Sequence, residues 1–88
     1  MYWDAIEVQP EPDYCLFVRF QDGLTGRIRL RTEDLTGVLA PLNDPGFFRQ
    51  VFIDQGTLVW PGEIDLATDA MHAEIARERQ AELTATRR

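Results

Sequence analysis

The chain contains no lysine: all nine of its basic residues are arginine. Schiff-base and P-loop lysine chemistry are therefore excluded. Cysteine and histidine occur once each, as Cys15 and His72, so no internal disulfide can form. A lone cysteine in a short chain with no secretory leader is the usage of a reducing compartment, and a cytoplasmic location is expected. No apolar run approaches the roughly 18 residues of a membrane span, so no membrane association is expected. Positive charge is also scarce. Fifteen acids against nine arginines leave a net charge of −6 and a pI near 4.6, which disfavours coating of nucleic acid by bulk charge. Up to residue 70 the imbalance is sharper, with five arginines against twelve acids, a net of −7.

What is present is 88 residues, enough for one small core and not for two. Residues 1–83 are read as a single α+β domain and 84–88 as a frayed tail. Glycine and proline fall singly, where the hydrophobic period changes. Residues 2–9 partly alternate and end at Pro10-Glu11-Pro12, predicting an N-terminal strand. Residues 14–20 and 25–31 form a hairpin around Gln21-Asp22-Gly23. Parity selects its register: a three-residue loop with Gly23 in the left-handed bulge position sets Leu16 beside Ile28 and Tyr14 beside Leu30, whereas a two-residue loop mixes apolar and charged faces. Residues 32–50 read as irregular or short-helical. Thr32 can cap a turn through Leu35, Gly37 breaks it, and Asp44-Pro45 is a cap and first residue for a helix near 44–50.

A second hairpin is predicted from Val51–Asp54 and Thr57–Trp60 around Gln55-Gly56. It is apolar on both faces, as expected of strands covered on both sides. All strands are expected in one small sheet. The C-terminal helix is predicted near 68–83, with Thr68 as cap and Ala67, Met71 and Ile75 as a narrow apolar stripe. Beyond Ile75 there is little to bury, so its second half is expected to meet solvent or another chain.

The register puts Arg19, Arg27, Arg29 and Arg31 on one face of the first hairpin, together with Phe17 and Cys15. Arginines around an aromatic ring can bind phosphate or acidic protein. The plainer alternative is a solvated sheet face whose arginines pair with Glu7 and Asp4 on the neighbouring strand, each exposed pair worth about 0–1 kcal/mol. His72 lacks the set that catalysis needs. Glu74, two residues on, cannot face it, Cys15 sits in a strand beside Arg19, and no Gly-x-Ser-x-Gly occurs. Asp54, Glu63, Asp65 and Asp69 cluster in sequence near the second hairpin, but without a calcium-loop pattern or a nearby His or Cys. Their expected use is in turns and caps. No catalytic residue, cofactor or metal is expected.

Phe20, Asp22-Gly23, Gly26, Leu42-x-Asp44-Pro45, Phe47-Phe48, Val51-x-Ile53-Asp54, Trp60-Pro61-Gly62-Glu63-Ile64-Asp65-Leu66 and Asp69 together resemble the bacterial domain-of-unknown-function 2442 family, over roughly residues 4–75. The resemblance implies an α+β domain with two hairpins and short helices, and brings no established activity, cofactor or catalytic residue. Some relatives carry a helix-turn-helix domain after this module. With 22 residues after Leu66 there is room here for one helix, so that domain is not expected. Genes of the family often sit beside a second small uncharacterised family, in arrangements resembling toxin and antitoxin pairs. The sequence departs from the family where many relatives have Pro at Thr68 and Leu-Tyr at Met71-His72. Trp60, Pro61, Gly62 and Asp65 also have a structural reading: a buried aromatic and a sharp corner that fastens the last helix to the sheet.

The resulting expectation is a small cytosolic bacterial protein-interaction module without enzymatic activity, an antitoxin-like partner of a co-expressed protein. It would bind a protein partner, or itself, through Phe17 and the four arginines or through the final helix. The alternatives are a nucleic-acid-associated regulator using the arginine face and, below that, a carboxylate metal or enzyme site.

Overall fold

A computed structural model describes the backbone of residues 1–86 and the side chains of residues 1–79. The expected α+β class holds. Strands β1 (Ala5–Glu11), β2 (Cys15–Phe20) and β3 (Thr25–Arg29) form one antiparallel meander, and β4 (Phe52–Asp54), β5 (Thr57–Trp60) and β6 (Ile64–Leu66) form another. Between them lie two 3-10 helices, Thr32–Asp34 and Gly37–Asn43, and the single turn α1 (Pro45–Phe48); the long helix α2 (Thr68–Thr86) follows.

The β2–β3 register is the one parity selected. Leu16 faces Ile28, Phe17 faces Arg27, and the Leu30 N–H bonds to the Tyr14 carbonyl. Gly23 has φ +93°, where a side chain would be strained, and its N–H bonds to the Phe20 carbonyl.

The single sheet expected from the sequence is corrected to two. The motif from Trp60 to Leu66 is not only a corner but a hairpin: Ile64–Leu66 pairs with β5 and closes a second three-stranded sheet. The two sheets meet where the Ala5 N–H bonds to the Gly56 carbonyl at 2.9 Å. This contact is tight, because a Cβ at Gly56 would come within 2.6 Å of Asp4 Cγ. Beyond that point β1 is ill suited to pairing with β4. A bulge falls between Ala5 and Glu7, and Pro10 and Pro12 carry no N–H.

The inner faces of both sheets share one core. Leu16, Val18 and Phe20 from β2, Leu58 and Trp60 from β5, and Leu42 are fully buried, with Met71 and Ile75 of α2 packed among them. Trp60 also fastens α1, since its indole N–H donates to the Phe48 carbonyl at 2.9 Å. Asp44 caps α1 as expected, accepting from the Gly46 N–H at 3.1 Å, with Pro45 at the first position.

Of the stripe expected from Ala67, Met71 and Ile75, the last two are buried, whereas Ala67 precedes the helix and is exposed; α2 docks through Thr68, Met71, His72 and Ile75, the spacing of a single helical face. Thr68, expected as the cap, is instead the first helical residue and is buried. Ile75 lies on Gly26 of β3 so closely that a Cβ there would sit 2.6 Å from Ile75 Cγ2. One turn further, Arg79 donates to the Thr25 carbonyl at 2.7 Å and covers that end of β3. The backbone of α2 continues to Thr86, past the boundary expected at 83; of the expected frayed tail, residues 87–88 lie outside the described residues.

Candidate functional site

The outer face of β1–β2–β3 carries Glu7, Gln9 and Glu11 from β1, Cys15, Phe17 and Arg19 from β2, and Arg27 and Arg29 from β3, as the strand pairing dictates. Cross-strand neighbours of opposite sign have found one another. Arg19 Nε lies 3.0 Å from Glu7 Oε1, and Arg27 Nε lies 2.8 Å from Glu11 Oε1. Hydrogen bonding from Arg19, then from Gln9, holds the Glu7 carboxyl below its ordinary value. The Arg27 bond does the same for Glu11, and Glu11 in turn raises Arg27.

Asp4, the other carboxylate expected to serve this face, packs on Gly56 instead. Arg31 lies past the end of β3 and binds Glu33 of the following 3-10 turn at 2.7 Å, so it does not join the strand arginines. Arg29 has no ion pair among the described residues. The face is therefore close to neutral, and the polarised charge inferred from the sequence is largely cancelled within it.

At its centre the Arg27 guanidinium carbon stands 5.3 Å from the Phe17 ring centroid. Phe17 and Arg27, with Glu7, Gln9 and Glu11, line a shallow groove of about 240 Å³. Cys15, beside Glu11, is half-buried; burial first, then the neighbouring carboxylate, push its thiol up. That is the opposite of an activated nucleophile.

Glu11 also borders a larger pocket of about 370 Å³ between the β1–β2 turn and α1, lined by Pro10, Pro12, Tyr14, Pro45, Phe48 and Arg49 among others. Asp13 and Tyr14 in that turn both have left-handed backbones, at φ 63° and 59°. Tyr14 is held there by its hydroxyl, which donates to the Asn43 carbonyl, and by edge-on contact with Phe48 at 5.5 Å. The prolines at 10, 12 and 45 were the available sequence signal, but nothing local indicates that 45 returns to 10 and 12.

His72 was assigned no partner from the sequence, and here the structure differs. Its Nε2 lies 2.8 Å from Asp22 Oδ2, and its ring meets Tyr2 and Phe20 edge-on at 5.0 and 4.9 Å. The helical spacing 68, 71, 72, 75 marks His72 as inward-facing; Asp22 could not be found without the fold. No nucleophile joins this pair by a hydrogen bond among the described residues, and the chain has no serine. The carboxylates do not converge either: no group of three His, Cys, Asp or Glu among the described residues could hold a metal ion. Asp54 and Asp65, expected in turns and caps, make no side-chain hydrogen bond or ion pair among the described residues and stand on the outer face of the second sheet. Among the described residues, no helix is long and apolar enough to cross a membrane.

No curated protein and no solved structure matches the chain. The family model described as protein of unknown function (DUF2442) matches residues 5–77, from the first residue of β1 to well inside α2, and so takes in both sheets and the docked part of the helix. The chain belongs to the DUF2442 family.

Proposed function

We propose that this chain is a cytoplasmic, non-enzymatic protein-interaction module, an antitoxin-like partner of a co-expressed small protein, and that it docks through the outer face of β1–β2–β3. The observation that carries this reading is the arrangement around Phe17: an aromatic ring at mid-sheet under Arg27, inside a rim of paired charges. An aromatic and arginine centre with a polar rim is the usual anatomy of a protein interface. The nucleic-acid alternative gains nothing from the geometry, because Arg19 and Arg27 spend their charge on Glu7 and Glu11.

Purification of tagged wild type and Phe17→Glu from the native host, with the mass of each eluted species, tests the reading. The expected outcome is a stoichiometric heterocomplex for wild type that Phe17→Glu abolishes. A wild-type protein that repeatedly elutes alone and monomeric overturns it.

A further inference from the structure

The second hairpin has apolar residues on both faces, the pattern of strands covered on both sides. Among the described residues only the inner face is covered. Leu58 and Trp60 point into the core and are fully buried, whereas Phe52 is 46% exposed. Pairing places Phe52 opposite Val59 and Val59 opposite Asp65, so the three side chains run in a row across the sheet; Asp54 stands opposite Thr57 beside them. Ile6, 57% exposed at the β1 bulge, belongs to the strand that packs against β4. A single exposed apolar residue needs no explanation. Here the exposed ring stands directly beside Val59, so two apolar side chains adjoin on a face otherwise formed by Asp54, Thr57 and Asp65.

The charges around it differ in kind from those on the first sheet. Glu7, Glu11 and Asp22 each have an arginine or histidine partner. Asp54 and Asp65 have none among the described residues. We infer that the outer face of β4–β5–β6 is a docking surface for a basic partner protein, one that presents an apolar side chain to Phe52 and Val59 and flanks it with cations for Asp54 and Asp65. A second copy of this chain fits poorly. It carries a net charge of −6, and Arg19, Arg27 and Arg31 already hold carboxylates of their own. The inference rests on the reading as an interaction module but uses a different surface, so each can fail without the other.

The probe is a synthetic peptide, Arg-Leu-Arg-Trp-Arg-Leu-Arg, titrated at physiological salt into the full chain labelled with ¹⁵N. Expected are amide shift changes concentrated at 52, 54, 59 and 65. Affinity should fall about tenfold or more in Phe52→Thr and in the double variant Asp54→Asn/Asp65→Asn, as at other interface centres. Phe52→Thr keeps a strand-forming residue at an exposed site, and an unchanged spectrum elsewhere verifies its fold. An oligoarginine of equal charge should bind about tenfold more weakly, and Phe17→Glu should leave peptide binding unchanged. Shift changes confined to other surfaces, equal binding of oligoarginine, or a wild-type dimer that Phe52→Thr dissociates would each overturn the inference.

Discussion

His72 of α2 and Asp22 of the β2–β3 loop lie fifty residues apart in the chain and 2.8 Å apart in space. The bond joins the docked part of α2 to the tip of the hairpin, and the Asp22 carboxyl also accepts from the Leu24 N–H, which shapes the loop. That backbone bond first, then His72, holds the Asp22 carboxyl below its ordinary value.

Removal of the imidazole should loosen α2 selectively. The His72 side chain is 12% exposed and packs against Tyr2 and Phe20, so His72→Ala is expected to lower stability by about 1–2 kcal/mol through lost ring contact and hydrogen bonding. Urea denaturation measures the loss. Hydrogen exchange should show α2 amides deprotected before those of β2. Uniform loss of protection would mean that the contact does not govern helix docking.

Gly26 and Ile75 should be energetically coupled. Gly26→Ala drives a Cβ into Ile75 Cγ2, which cannot swing away as a long flexible side chain could, and about 1–3 kcal/mol of destabilisation is expected from overpacking. Ile75→Ala alone should cost about 2–5 kcal/mol, because it empties a buried site. The double variant should be more stable than the sum of the two losses implies, since the alanine Cβ enters the space the isoleucine leaves. A double-mutant cycle in urea provides the comparison, and strict additivity would refute the contact.

Acid should destabilise the first sheet through Glu7, Glu11 and Asp22, whose carboxyls are all held low in the folded state. Groups with folded values below their unfolded ones contribute fully above the unfolded value, and the contribution disappears as pH falls through the folded one. Their contribution should therefore be full above the ordinary glutamate value of 4.5 and decline below it. These groups are solvent-exposed, so added salt should shrink the effect. Urea midpoints against pH for wild type and Glu7→Gln/Glu11→Gln would show it as a shallower acid slope in the variant.

Whatever rested on local period was legible without the fold. The β2–β3 register follows from parity and Gly23, the α1 start from Asp44-Pro45, and two residues of the buried face of α2, Met71 and Ile75, from spacing, while Ala67 of the expected stripe is exposed. The candidate site was legible only in part. Parity correctly put Phe17, Arg19, Arg27 and Arg29 on one face, but the charge of that face depends on Glu7 and Glu11, which come from another strand. The both-sided hydrophobicity of the second hairpin was also visible, and among the described residues only its inner face is covered.

Composition alone excluded lysine chemistry and an internal disulfide, since the chain has no lysine and a single cysteine. Charge sign and strand parity are likewise properties of the chain, because side chains alternate along any strand wherever it lies. Tertiary structure decided what cannot be local. It divided six strands between two sheets, paired two of the strand arginines with glutamates, gave His72 its carboxylate and, among the described residues, left Asp54 and Asp65 without a cation. Each of these depends on which distant segments meet, and that is set by the shared core around Trp60, Phe20 and Leu58 rather than by the residues adjoining any one site.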